Sequence, residues 1–388
     1  MSQPMRRSPY AAFAGIFVVT LLALMAVGAV LPVLPRYVKG PLDSGNVAVG
    51  VVVGAFAFTG LAGRPIAGRF ADHRGRRPIV VVGSLLAALA GLLYLVPAGL
   101  PGLVAARLVL GMGEGTVFTA GSAWIVDLAP PGRRGRVIGL YGLAVWSGLS
   151  IGPSVGELLY HASGFHLVWA FAAAAPFLGA LVALRIPDPF EPSPEAARGP
   201  LIARESLRPG SALSLASVGY AAMAAFIVLH LQSNGDSHGA VAFTVFAATV
   251  VLTRLIAGDL PDRIGPLRCA AGAAAVEAMG LALIALATSL PAAIVGATAM
   301  GTAFSLLYPA LSLVVVNRVP DARRGAALGT FTGFFDLGVG LGAPLAGVAA
   351  ALGGYGAAFW LAAACALGTL GIATALRRGL SAAAAPAG

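Results

Sequence analysis

Twelve stretches of about twenty mostly apolar residues follow one another along this 388-residue chain, at roughly 11–33, 46–66, 78–98, 101–125, 137–159, 166–185, 212–231, 239–257, 268–289, 291–315, 326–350 and 355–376. Each is long enough to cross a hydrocarbon layer about 30 Å thick as a helix. Only 10% of the residues are charged and 58% are hydrophobic, whereas a water-covered domain carries about 25% charged residues. The sequence therefore predicts an all-α, polytopic membrane protein with twelve transmembrane helices. The first apolar stretch exceeds the 7–15 residues of a signal-peptide core and reads as an uncleaved span.

The charge of +10 sorts by loop. If there are twelve spans, 22 of the 25 basic residues fall on one side, including Arg6, Arg7, the Arg64–Arg77 region, Arg133, Arg134, Arg136, Arg318, Arg323 and Arg324. Arg36 and Lys39 fall on the other, and Arg107 lies within a span. Basic loops stay in the cytoplasm, so both termini are expected there, with the protein spanning the cell membrane. The basic excess is a topological signal and not a nucleic-acid surface. Residues 186–211, rich in proline and charge, read as a cytoplasmic linker between a first six-helix bundle (1–185) and a second (212–388).

A repeat supports that division. Gly68, Asp72 and Gly75 recur 190 residues later as Gly258, Asp262 and Gly265, each copy with an arginine four residues upstream (Arg64, Arg254). At the same offset Gly111 matches Gly301, Arg133-Arg134-Gly135 matches Arg323-Arg324-Gly325, Gly148 and Gly152 match Gly338 and Gly342, and Gly164 matches Gly354. Pro130 matches Pro320 as well, and composition explains glycine matches, but not Arg, Asp and Pro in register. Parallel six-span repeats characterise one class of secondary transporter.

Gly68-x-x-x-Asp72-x-x-Gly75-Arg76-Arg77, with Arg107-x-x-x-Gly111-x-Gly113 in the fourth span, resembles the major facilitator superfamily over essentially the full chain. The resemblance implies two pseudo-symmetric six-helix bundles alternating around a site near the bilayer midplane, with the first motif as a cytoplasmic latch. Its alternative reading is a loop that only obeys charge topology. His73 stands where the family usually has a basic residue, and Asp127 is expected near Arg76 or Arg64. Gly148-x-x-x-Gly152-Pro153-x-x-Gly156-Glu157 resembles the outer-gate motif of the family's proton-coupled exporters, with Glu157 where glycine is usual.

Proton-coupling candidates are the acids and the arginine inside spans, because an isolated charge in hydrocarbon is costly. Arg107 and Glu114 share a helix face, and either serve transport or form a static Arg–Glu pair. Asp336 is the second acid, at the position equivalent to Trp146. Glu277 falls in the ninth span, which the resemblance puts at the periphery, and His230 reads as an interfacial histidine. Phe118, Trp124, Phe304 and Tyr308 are candidate cavity-lining aromatics, with packing as the blander reading. Cys269 and Cys365 are too few for a disulfide framework, and the sequence calls for no metal or cofactor. No P-loop or nucleophile–base pattern appears, so an enzyme is not expected. The functional expectation is proton-coupled efflux, by a chain functional as a monomer, of a small, amphipathic or drug-like molecule; the alternative is a proton-coupled uptake symporter of a small metabolite on the same fold.

Overall fold

The computed structural model describes residues 9–128, 134–188, 203–320 and 324–383. Among them the chain forms thirteen α-helices: α1 (Pro9–Val30), α2 (Leu34–Lys39), α3 (Asn46–Arg74), α4 (Arg76–Tyr94), α5 (Gly99–Asp127), α6 (Arg134–Ala183), α7 (Leu207–Ser233), α8 (Gly239–Ala257), α9 (Leu260–Ile264), α10 (Pro266–Leu286), α11 (Leu290–Val316), α12 (Arg324–Gly353) and α13 (Tyr355–Ala383). Helices suit this solvent, because each satisfies its backbone polar groups internally.

Among the described residues, eleven helical stretches are long and apolar enough to span a membrane, and one of them, Tyr141–Ala183, has 43 residues. At 1.5 Å per residue it would measure about 65 Å, twice the hydrocarbon thickness. It does not run straight. Ser163 (φ −155°, ψ 26°) and Gly164 (φ 66°, ψ −157°) leave helical geometry, so the stretch makes two crossings and the total is twelve. Gly354, its repeat partner, also takes positive φ (73°) and separates α12 from α13. Gly75 and Gly265 form a second matched pair, at 96° and 91°. Glycine alone enters that region without strain, so the sequence repeat marks where the backbone turns.

Several boundaries differ from the sequence expectation. The third predicted span is α4, which ends at Tyr94, and α5 begins at Gly99, which puts Pro101 inside the first turn of α5, where its missing N–H costs nothing. The seventh long helix begins at Leu207, five residues earlier than expected. α3 continues unbroken to Arg74, whereas its counterpart is divided into α8 and the short α9.

The residues separate into two compact units: Met1–Val30 with Thr59–Arg198, and Leu31–Phe58 with Gly199–Gly388. In the first unit α6 packs on α1 and α4, and α4 on α5. Its core gathers Ile16, Val19, Leu24, Val117, Trp124, Ile125 and Tyr141. In the second unit α7 packs on α12 and α13, α10 on α11 and α13, and α8 on α11. The first half of α3 also belongs there: the Asn46 side-chain amide donates to the Ala350 carbonyl at 3.1 Å, and a Cβ on Gly54 would lie 3.0 Å from the Gly340 carbonyl.

Small residues make these contacts. Apolar side chains gain little by leaving lipid for one another, so association depends on close backbone approach. Gly280 and Gly296 face each other between α10 and α11, where a Cβ on either would come within 2.8 Å of the other's carbonyl oxygen. Large apolar side chains such as Leu158, Ile256 and Leu352 instead point outward, as a lipid-facing surface requires.

Candidate functional site

The charged cluster of the first unit is assembled by glycine. Gly115 on α5 sits against Gly60 on α3, where a Cβ would lie 3.2 Å from the Gly60 Cα and 3.5 Å from the Arg64 Cγ. The Thr59 hydroxyl donates to the Leu108 carbonyl at 2.6 Å across the same seam. Arg64, one turn beyond Gly60, is thereby laid along α5. Its guanidinium donates from Nη2 to Glu114 Oε2 at 3.4 Å, and its Cζ stands 4.7 Å from the centre of the Phe118 ring. Glu114 and Phe118 are one turn apart, so a single helix face presents both the acid and the aromatic plane. A cation held between a carboxylate and a ring is stabilised from two sides.

The arginine seen hydrogen-bonded to Glu114 is Arg64 of α3, the arginine that precedes the first motif. Arg107 is fully buried in α5, with Tyr94 of α4 as its electrostatic neighbour. Gly113, between them, seats α4 so closely that a Cβ would lie 2.5 Å from the Ala87 nitrogen.

Tyr141 on α6 completes the cluster. Its hydroxyl donates to the Phe118 carbonyl at 3.1 Å, and it lies within electrostatic reach of both Glu114 and Arg64. A Cβ on Gly121 would come 2.8 Å from that hydroxyl. Sequence reasoning missed Tyr141. A tyrosine in an apolar span has no pattern that sets it apart, and the only signal was Gly121 on the facing helix.

Near the first motif, Arg76 Nε donates to Asp127 Oδ2 at 3.0 Å, one of the two pairings considered for Asp127. The Arg77 N–H donates to Asp188 Oδ2 at 2.8 Å, placing a carboxylate at the N-terminus of α4, where the helix dipole favours an anion. His73 Nδ1 lies 2.7 Å from the Arg69 carbonyl. The backbone of Asp72 belongs to α3, but its side chain lies outside the described ones, as do Arg133 and the side chain of Arg134. Gly68 leaves room beside Thr119. In the second copy, Gly258 ends α8, Asp262 is exposed in α9, Gly265 makes the turn, and Arg263 pairs with Asp259.

Within the first unit the α6 glycine–proline motif seats α1. A Cβ on Gly148 would lie 2.8 Å from the Leu21 carbonyl, one on Gly152 would lie 2.7 Å from the Gly28 Cα, and one on Gly156 would overlap the Ala29 carbonyl. Pro153 remains within helical geometry, since only Ser163 and Gly164 depart from it inside α6. Glu157 pairs with His161 at 3.2 Å.

The remaining candidates separate. Asp336 is buried in α12 (2% exposed). Trp124 is fully buried in the first unit's core, so it is a packing residue rather than a cavity-lining one. Phe304 is 4% exposed in a ring cluster with Tyr220, Phe246 and Phe335. Tyr308 shares a hydrogen bond with Thr332 at 2.7 Å and packs on Phe331. His230 is buried rather than interfacial, 5% exposed, with its Nε2 2.9 Å from the Ile284 carbonyl.

Comparison with known proteins agrees with this architecture. The Major Facilitator Superfamily profile matches residues 16–235 and 209–385. An uncharacterized MFS-type transporter of Salmonella typhimurium LT2 is 34% identical over 353 residues, covering 88% of this chain and 90% of its own. The uncharacterized MFS-type transporter YhhS of Escherichia coli K12 is 36% identical over 338 residues, 84% of this chain and 82% of its own. Among solved structures, the nucleoside transporter NupG superposes with a TM-score of 0.76 at 14% identity, over 94% of this chain and 98% of NupG. The human organic anion transporter MFSD10 gives 0.72 at 20% identity, over 96% and 100%. The chain is a multi-pass membrane protein of the Major Facilitator Superfamily, a secondary transporter and not an enzyme.

Proposed function

We propose that the chain exports a small amphipathic molecule across the cell membrane in exchange for protons, by alternating access, with the sequence repeats 1–185 and 212–388 as its two bodies. The observation that carries this reading is the Arg64–Glu114 pair, buried in the first unit with Phe118 on the guanidinium's other side. Protonating Glu114 removes the anion that holds Arg64 and leaves a neutral acid beside a cation. A substrate that needs the ionised pair and a proton that dissolves it then compete for one carboxyl. Competition at one site is the minimal logic of exchange. Asp336, buried in α12, supplies the second acid. The export direction rests on the likeness of Gly148, Gly152, Pro153 and Gly156 to the exporters' motif.

Proteoliposomes carrying a pH-sensitive dye identify compounds that move protons through the protein. For such a compound, accumulation in inverted vesicles with an acidic lumen is expected, and the doubly neutralised Glu114→Gln, Asp336→Asn protein should lose it. A gradient still built by that variant would refute the assignment of the coupling acids. Accumulation confined to right-side-out vesicles would make the protein an uptake symporter.

A further inference from the structure

One acid of the second unit has no role in that scheme. Glu277, in the middle of α10, has zero exposure, and neither carboxyl oxygen has a hydrogen-bond partner among the described residues. It is not wedged there by accident of crowding. α7 presents Gly219 to it, and a Cβ at that position would lie 3.0 Å from Oε1. The missing side chain is what makes the niche. The same hypothetical Cβ would touch the Leu281 Cδ1 at 3.1 Å and the Met300 Cε at 3.2 Å, so the walls are a glycine, a leucine one turn along α10, and a methionine from α11. α13 presents Cys365, the titratable group within electrostatic reach of Glu277. No charged side chain among the described residues acts on Glu277.

An ionised carboxylate cannot be held in such surroundings without a partner. The neutral acid can be, because it leaves no net charge to solvate. The acid in this niche therefore carries its proton in the conformation described here. Ionising it requires water or a cation to reach the gap between α7, α10 and α11. Any conformation that admits water there favours proton release, and by reciprocity a bound proton favours the closed niche.

We propose that Glu277 is a further proton-binding site, distinct from Glu114 and Asp336, which holds its proton as a neutral carboxylic acid while the α7–α10–α11 niche is closed and releases it when the niche is hydrated. The proposal rests on the proton-coupled reading for its link to transport, and on geometry alone for the site itself.

Dicyclohexylcarbodiimide, which reacts with protonated carboxyl groups in apolar surroundings, tests the site in the full-length protein in liposomes. Mass analysis should find the Glu277 peptide modified at pH 6. The rate of modification should fall about tenfold by pH 9, as the open, ionised form becomes populated. No modification of Glu277, or modification at one rate throughout that range, would overturn the site. The transport link is read as protons moved per substrate molecule, using a compound that moves protons in the dye assay. Glu277→Gln keeps the shape of the neutral acid and should lower the ratio by one. An unchanged ratio, with wild-type flux still driven by ΔpH, would reduce Glu277 to a permanently neutral structural acid and leave the proposed function standing. If no compound moves protons through the wild type, that function falls, and pH-dependent modification alone then decides for or against the site. The labelling uses the unaltered protein, so it decides even if Glu277→Gln fails to fold.

Discussion

Arg64 and Arg254 occupy the same place in the two repeats and are held in different ways. Arg64 has Glu114 at 3.4 Å and the Phe118 ring beneath it. Arg254 donates from Nη2 to the Ser305 carbonyl at 3.1 Å, with Tyr308, the repeat counterpart of Phe118, as electrostatic neighbour. The counterpart of Glu114 is Phe304, which belongs to an aromatic cluster. The counterpart of Gly115 is Ser305, whose hydroxyl donates to the Val250 carbonyl at 2.8 Å. One repeat thus uses a proton acceptor where the other uses backbone. Glu277, a buried acid of the second repeat whose carboxyl has no hydrogen-bond partner among the described residues, sits elsewhere, opposite Gly219, and its own counterpart is Ala87. Duplication kept the cation and the glycine turns, while the titratable groups diverged.

The largest expected effect comes from breaking the first pair. Glu114→Ala leaves a largely buried guanidinium without its acid, and breaking such a pair costs about 3–5 kcal/mol. Arg254→Met removes a cation together with its hydrogen bond to the Ser305 carbonyl and should cost about 1 kcal/mol. Unfolding of both variants in detergent, compared with the parent, checks the ranking; equal losses would mean that the two arginines are equivalent after all. Replacing the pair together, Arg64→Met with Glu114→Leu, should recover most of the stability and none of the ΔpH-driven flux. That combination separates the pair's structural share from its proposed transport role.

Next come the glycine seams, where the repeats are alike. A Cβ on Gly156 meets the Ala29 carbonyl, and one on Gly338 meets the Ser214 carbonyl. Gly156→Ala and Gly338→Ala should each cost about 1–3 kcal/mol by overpacking. A marked difference between them would show that α1–α6 and α7–α12 are not equivalent seams. A smaller effect still is expected at the membrane surface. Asp127 is 45% exposed in its bridge to Arg76, so Arg76→Ala should change stability by about 0.5 kcal/mol and less in high salt.

The helices were legible because lipid leaves the backbone few alternatives, and apolar runs of about twenty residues announce them. The turns at Gly75, Gly164, Gly265 and Gly354 were legible through the repeat, since a positive φ demands the same residue in both copies. Pairing was not. Arg64 meets Glu114 only because Gly60 and Gly115 let α3 close on α5, and nothing in either segment announces that contact. The niche around Glu277 is not legible in the sequence for a similar reason. Its helix is assigned to the periphery by family likeness, but which way a residue points on that helix depends on Gly219 and Met300 from two other helices. Trp124 shows the reverse error, a ring assigned to a cavity that tertiary packing put in the core.

The smallest effect sharpens the comparison through a loop outside the spans. Asp236 and Asn46 are repeat counterparts, one titratable and one not. Asp236 accepts from the His238 N–H at 2.9 Å and the Leu290 N–H at 3.1 Å, which ties the α7–α8 turn to the start of α11. The His238 backbone bond foremost, with the Leu290 bond and the His238 side chain, holds the Asp236 carboxyl below the usual carboxylate range, against a weaker opposing effect of desolvation. A depressed value means that the folded state favours the ionised form. The resulting stabilisation is fully present above about pH 4, the ordinary value for aspartate. It is lost as the pH falls through the folded-state value. Asp236→Asn should therefore be slightly less stable than the parent at neutral pH, with the gap closing as the pH drops below about 4. Asn46→Asp should not reproduce that pH dependence with the same sign. Asn46 donates its amide to the Ala350 carbonyl, and a carboxylate cannot donate, so ionising Asp at this position sets an anion against a carbonyl oxygen. Melting curves of the two variants between pH 3 and 7 decide whether the repeats differ here by charge alone or by the direction of the hydrogen bond.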